Sequence, residues 1–150
     1  MGASGDDSAR VWYTRVLARA VARHLAQREV LIRWEPPNDS RFRKGMAAMR
    51  GEAGVVYVDP DQDQQTQLDV TLHELAHIRL HADSLADELT EPQNARPSMR
   101  ATKAGRAFYD RREREAEALA GEWSRWAAAR VPGGRGSVSD ALRALLTWSG

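Results

Sequence analysis

The sequence predicts an α+β fold in which a small antiparallel three-stranded sheet packs against several helices. Three observations support this prediction. Apolar residues recur at steps of three and four in several stretches, which is typical of amphipathic helices. Three short strand-like runs lie close together, at residues 29–34, 45–50 and 53–58. The chain has 150 residues, a length that suits one domain with one hydrophobic core.

The composition is typical of a globular protein and excludes several classes of function. Hydrophobic residues make up 42% of the chain and charged residues 29%, which does not fit a disordered chain. The absence of cysteine excludes disulfides, cysteine zinc sites and thiol nucleophiles. The net charge of +1 argues against direct nucleic-acid binding, which needs a basic excess. The sequence shows neither an apolar run near the roughly 20 residues that cross a bilayer nor a signal sequence. Neither secretion nor a membrane partner is therefore indicated.

The chain is expected to begin with a short flexible leader, residues 1–7, followed by a single domain at residues 8–150. The first helix follows the leader. Ser8 or Asp7 can cap this helix, and apolar residues recur at helical spacing as far as Leu25. No internal repeat and no second domain is indicated.

Three strands are expected next. Residues 29–34 are rich in β-branched and aromatic residues, and a turn with two prolines follows them. Residues 45–50 and 53–58 are separated by Gly51, where the chain can bend sharply. This order predicts a small antiparallel sheet that ends at Asp59.

The second half of the chain is expected to be mainly helical. An apolar stripe predicts a helix over residues 64–81. Residues 82–107 are polar and weakly periodic, which is typical of a functional loop or a short irregular helix. A further helix is expected over residues 108–131. Ser137 opens a capping box for a last helix in the C-terminal segment, residues 137–150.

The sequence HELAH at residues 73–77 is an HExxH motif. Residues four apart lie on the same face of a helix, so His73 and His77 can direct both imidazoles at one metal ion. Glu74 is then placed beside the metal rather than among its ligands. Three of the four histidines lie within nine residues of one another, which favours a metal site over a chance match.

The residue types in this motif indicate metal-assisted hydrolysis of a peptide bond. Neutral imidazole suits Zn²⁺, and a catalytic zinc ion has three protein ligands and one water molecule. The ion lowers the pKa of that water to about 7. Glu74 can accept the proton of this water as a general base and pass it to the leaving amine. The alternative interpretation is a histidine pair next to an ordinary glutamate, and it does not explain these polar groups beside an apolar stripe.

His81 extends the histidine series but does not fit the third ligand position. It lies about 12 Å from His73 along a straight helix, and the sequence lacks the glycine that would bend the chain there. We expect His81 to contact the metal ligands without binding the metal, to contact substrate, or to cap the helix. The third ligand is expected to be an acid on a second helix packed against the first. Periodicity leaves four candidates open. Glu113 and Glu115 flank the apolar stripe on opposite sides, and Glu117 and Glu122 lie further from it.

The order of these features resembles the ImmA/IrrE family of bacterial and phage metallopeptidases. The resemblance rests on the final strand at residues 54–59, on HELAH preceded by Thr71, and on EREAEALA at residues 113–120. It spans roughly residues 10–130. Two positions depart from the acidic-helix pattern of the family, since Glu117 stands in place of asparagine and Leu119 in place of phenylalanine.

The resemblance implies a zincin-like fold with Zn²⁺ as cofactor. It implies His73 and His77 as zinc ligands and Glu74 as the general base. Glu115 becomes the third ligand, because it matches the acid before the Ala-Asn pair of the family. The family is typically cytoplasmic, which implies a cytoplasmic protein here. Several members cut or inactivate a helix-turn-helix repressor and thereby release a mobile element, a phage programme or a stress response.

Three hypotheses of function follow. The first is a zinc-dependent endopeptidase that acts on a protein partner, with a repressor as the candidate. The second is a metal-bound antirepressor that binds without cleaving, although Glu74 favours an enzyme. The third is a metallopeptidase of an antirestriction or DNA-repair system, in which basic residues at 41–50, or those at 100–112, form a DNA-binding patch. Trp148 is expected to be an exposed contact, and the sequence does not predict the oligomeric state.

Overall fold

The computed structural model describes residues 2–35, 45–89, 103–131 and 137–150, and the side chains of the first helix from Thr14 onward. Within these residues the chain forms four helices and three strands, in the order α1 (Gly2–Ala26), β1 (Val30–Arg33), β2 (Gly45–Arg50), β3 (Ala53–Val58), α2 (Gln64–His81), α3 (Lys103–Arg130) and α4 (Val138–Leu145). The predicted α+β class is confirmed.

The first helix begins earlier than predicted. It starts at Gly2, so residues 2–7, expected to be a flexible leader, form its first turns. No proline interrupts residues 2–26, and the hydrogen bonds of the helix can therefore continue back to its start. At the other end Gln27 has a positive φ of 58°, a left-handed conformation that ends the helix.

The sheet is mixed rather than antiparallel. The strand order is β1-β3-β2. As predicted, β2 and β3 are antiparallel, and Gly51, at a φ of 63°, turns the chain between them. The prediction is wrong for β1, which runs parallel to β3 with Val30 opposite Gly54. The physical reason is that β1 and β3 are not joined by a tight turn, so the apolar pattern of β1 does not determine its direction.

The chain after α2 is fastened to the free edge of β2. The amide of Met49 donates to the carbonyl of Ala86 at 2.8 Å, and the amide of Glu88 donates to the carbonyl of Met49 at 2.8 Å. The carboxylate of Glu88 also accepts hydrogen bonds from the hydroxyl of Tyr57 and from Arg33. The end of α2 is therefore held to the sheet by both backbone and side-chain contacts.

The predicted irregular segment at residues 82–107 contains more regular structure than expected. It opens with a 3-10 turn at Ala82–Ser84, continues into the contacts with β2, and ends where α3 begins at Lys103. The helix thus starts five residues before the predicted position, since no proline follows Pro97 in this segment. Residues 90–102 lie outside the described residues.

The hydrophobic core lies between the sheet and the helices, with α2 at its centre. The bounds of α2 agree with the prediction, and the carboxylate of Asp63 caps the helix by accepting from the amide of Thr66 at 2.8 Å. Trp123 of α3 is fully buried, and its ring packs edge-on against Trp148, with ring centroids 5.7 Å apart. Trp148 is only 6% exposed, so the prediction of an exposed contact there is wrong. The tail after α4 instead packs onto α3.

The last helix has the predicted capping box, formed by Ser137 and Asp140. Among the helices in the described ranges, none combines the length and the apolar character needed to cross a membrane. The basic segments that could form a DNA-binding patch are only partly described, because residues 41–44 and 100–102 lie outside the described ranges.

Candidate metal centre

Two histidines of α2 lie side by side, as their spacing of four residues requires. The ring centroids of His73 and His77 are 4.9 Å apart, with the rings at 80° to each other. The two side chains differ in exposure, at 26% for His73 and 10% for His77. Leu75 and Ala76 between them are buried, so the core fixes the rotation of the helix and the direction of both imidazoles.

The carboxylate of Glu113 bridges the two histidines. Its Oε2 lies 3.0 Å from Nε2 of His73, and its Oε1 lies 2.9 Å from Nε2 of His77. Glu113 comes from α3, which packs against α2 along the face that carries the histidines. Two imidazoles and one carboxylate from different helices therefore converge on one point.

The structure places Glu115 elsewhere, which disagrees with the predicted third ligand. Oε2 of Glu115 lies 3.3 Å from Nε2 of His81 instead. Glu115 lies two positions after Glu113, which is about 200° around a helix, so the two carboxylates face in different directions. The other candidates, Glu117 and Glu122, are exposed.

The packing of α3 explains why Glu113 reaches the histidines. The buried face of α3 follows alternating steps of four and three residues: Ala116, Ala120, Trp123 and Ala127. Glu113 lies one further step of three before Ala116 and thus extends this face beyond the core. The family pattern pointed to the acid before Ala116 instead, and periodicity by itself left Glu113 and Glu115 both open.

Glu74 lies close to the histidine pair but does not bridge it. Its carboxylate and the ring nitrogens of His73 and His77 all lie within 4.8 Å of one another. The start of β2 approaches this residue closely, because a Cβ atom on Gly45 would lie 3.6 Å from Cγ of Glu74 and 2.0 Å from Cγ1 of Val70. Glycine is the residue that allows the sheet to come this near.

The carboxylates and imidazoles change each other's ionisation. Hydrogen bonds from His73 and His77 hold the pKa of Glu113 well below its ordinary value. The same contact raises the pKa of His73, since a negative carboxylate favours the protonated imidazole. Loss of solvation raises the pKa of Glu74. The site thus combines one strongly acidic carboxylate with one that binds a proton more readily than usual.

A comparison with family models decides the classification. The model described as the IrrE N-terminal-like domain, of peptidase family M78, matches residues 35–124, three-fifths of the chain. The chain belongs to this family. The matched residues include His73, Glu74, His77 and Glu113, and they confirm the resemblance to the ImmA/IrrE metallopeptidases. Comparison with curated proteins and with solved structures gives no significant match.

The residues of this M78 domain fit a metal ion that prefers imidazole ligands. Separations of 2.9 and 3.0 Å between the carboxylate oxygens and the imidazole nitrogens allow all three groups to reach one ion at roughly 2.0–2.2 Å. Two imidazoles and one carboxylate suit zinc and other transition metals better than magnesium or calcium.

Further polar contacts lie behind this centre. His81 is 3% exposed, and its Nδ1 lies 3.2 Å from Nδ1 of His77. Burial lowers the pKa of His81.

A separate cavity of about 250 Å³ lies on another face of α2 of the M78 domain, between Leu68 of that helix and Leu142 of α4. Its walls do not include the histidine pair or Glu113.

Proposed function

We propose that this M78 domain is a zinc-dependent endopeptidase that hydrolyses a peptide bond in a protein partner. The observation that carries the proposal is the position of Glu113, whose two oxygens lie within 3.0 Å of the Nε2 atoms of His73 and His77. His73, His77 and Glu113 would hold the ion. When bound, zinc would polarise the carbonyl of the substrate and lower the pKa of a water molecule.

Glu74 supplies the general base in this proposal. Loss of solvation raises the pKa of Glu74 and brings that pKa closer to the pH at which the enzyme works. This match favours transfer of a proton both to and from the carboxylate. Glu74 accepts a proton from the attacking water on one of its oxygens. It then delivers that proton to the leaving nitrogen of the cleaved peptide bond. No other proton donor is needed for these two steps.

The exposure of the three ligands indicates the side from which substrate approaches. The side chain of Glu113 is 46% exposed and that of His73 is 26% exposed, whereas that of His77 is 10% exposed. A peptide can therefore reach the centre from the side of Glu113 and His73. The side of His77 is closed by the core.

Elemental analysis of protein purified without added metal tests the metal site. We expect about one zinc ion per chain in the parent, its loss in Glu113→Ala, and its retention in Glu117→Ala, which changes an exposed acid of the same helix. Glu115→Ala is the decisive comparison. Loss of metal in Glu115→Ala but not in Glu113→Ala would contradict the proposed ligand set, and a parent without metal after zinc addition would contradict the proposal.

We further propose that the partner is a helix-turn-helix transcriptional repressor in the cytoplasm, a proposal supported by the resemblance to the ImmA/IrrE family. A candidate repressor would be incubated with the parent and with Glu74→Gln, which keeps all three ligands. Fragments that appear only with the parent, and that a chelator abolishes, are expected. Complex formation with both forms and no fragments would indicate a non-cleaving antirepressor. DNA retention that depends on salt would favour an antirestriction or DNA-repair role.

A further inference from the structure

A row of polar side chains extends from His77 away from the candidate metal centre. Nδ1 of His77 lies 3.2 Å from Nδ1 of His81, and Nε2 of His81 lies 3.3 Å from Oε2 of Glu115. The side chain of His81 is 4% exposed, whereas that of Glu115 is 48% exposed. The row thus begins at a buried ligand candidate and ends at the surface.

We propose that His81 and Glu115 are positioning residues, which hold His77 with its proton on Nδ1 and the lone pair of Nε2 directed at the metal. This inference rests on the proposed function. A histidine that binds a metal through Nε2 carries its proton on Nδ1, and a partner that accepts a hydrogen bond from this N–H group fixes both the tautomer and the ring orientation. His81 is the acceptor in this row.

The hydrogen bonds of the row are consistent in one direction. With its proton on Nδ1, His77 donates to Nδ1 of His81, and His81 carries its own proton on Nε2 and donates it to the carboxylate of Glu115. In the opposite direction, the proton of His81 is on Nδ1 and is donated to Nδ1 of His77. The lone pair on Nε2 of His81 then faces the carboxylate of Glu115, so that two hydrogen-bond acceptors lie against each other. The carboxylate of Glu115 therefore favours the direction that leaves Nε2 of His77 free for the metal.

Burial strengthens the dependence of His77 on this hydrogen bond. Water cannot easily replace His81, because both imidazoles are enclosed between α2 and α3. A buried donor on His77 without its acceptor costs free energy. Loss of such a supporting partner typically weakens metal binding about 10–100-fold.

The first test is the tautomeric state of the zinc-loaded full chain. The ¹⁵N chemical shifts of the imidazoles, measured by NMR, report which nitrogen of each ring carries the proton. We expect the proton of His77 on Nδ1 and that of His81 on Nε2. A proton on Nδ1 of His81 would overturn the inference. This measurement needs no variant, so it does not depend on whether any substitution folds.

The second test compares the zinc dissociation constants of variants by competition with a chelator. His81→Leu fills the space but removes the acceptor, and we expect it to bind zinc about 10–100-fold more weakly. His81→Asn places an amide oxygen near the position of Nδ1 and should restore most of the affinity. Glu115→Ala should weaken binding, and Glu122→Gln, which changes an exposed acid of α3, should not.

The outcomes separate this inference from the proposed function. If the parent binds zinc and His81→Leu binds it equally well, the positioning role is wrong and the zinc centre stands. If His81→Asn binds zinc as weakly as His81→Leu does, although both variants keep the parent's melting temperature, the hydrogen-bond role of His81 is wrong. A parent that binds no zinc would overturn both proposals.

Discussion

Alanine at Gly54 should force apart the sheet and the helix that carries the histidine pair. A Cβ atom on this residue of β3 would lie 2.8 Å from both Cδ1 and Cγ2 of Ile78, and 3.3 Å from its Cγ1. Ile78 is fully buried and follows His77 directly, so it cannot move without shifting the core. Overpacking of this kind costs about 1–3 kcal/mol. In a domain of this length that corresponds to a fall in Tm of roughly 2–12 °C.

A second substitution identifies the cause. Ile78→Ala removes all three atoms that the new Cβ would meet, and by itself it should cost about 2–5 kcal/mol. In that background Gly54→Ala should cost little, so the two substitutions should be coupled by about 1–3 kcal/mol. Gly121→Ala is the matched control, because a Cβ there meets only the flexible end of Arg125, at 3.2 Å. In the interior of α3 this change should stabilise the chain by about 0.5–1 kcal/mol.

Urea and thermal unfolding of the metal-free chain, followed by circular dichroism, measure these free energies. The zinc affinity of Gly54→Ala provides a second readout, and it should fall because His77 moves with Ile78. Equal destabilisation by Gly54→Ala in the parent and in the Ile78→Ala background would refute the close approach of β3 and α2. A control Gly121→Ala that destabilises as much as Gly54→Ala would refute the assignment of the effect to this contact.

Three further predictions concern the base, the core and the start of α2. Glu74→Gln should retain zinc and slow cleavage of the partner by about 10²–10⁴-fold, and an unchanged cleavage rate would contradict its role as base. Trp123→Ala should lower the free energy of unfolding by about 3–5 kcal/mol in urea titrations, and a loss of well under 1 kcal/mol would not fit a fully buried side chain. The backbone amide of Thr66 lowers the pKa of Asp63, so the carboxyl group of Asp63 binds a proton less readily in the folded chain than in the unfolded chain. The charged cap therefore stabilises the folded chain above the ordinary aspartate pKa of about 3.9, and this stabilisation is lost as the pH falls below it. Asp63→Ala should therefore lower Tm at neutral pH by more than it does in acid well below that value, and a deficit that is constant with pH would show that the charged cap does not contribute.

Much of the local structure was predictable because it depends on short-range patterns. The three strands and α2 lie where the apolar spacing placed them, and the caps of α2 and α4 use side chains within three residues of each helix start. The HExxH histidines meet because four residues of helix bring any such pair together. In each case the interacting groups are neighbours in the chain, so their identities and spacing determine the geometry.

Other features depend on contacts between distant segments. The direction of β1 follows from its position beside β3, which a strand pattern does not encode. The burial of Trp148 follows from the packing of the C-terminal tail against α3.

The sequence by itself determined an α+β fold, the helix with its histidine pair and general base, and a set of acidic candidates on α3. Only the tertiary structure decided among those acids. Glu113 rather than Glu115 reaches the histidines, because the rotation of α3 is set by the apolar face that it buries against α2. That rotation is a property of the packed pair of helices, and neither helix alone contains it.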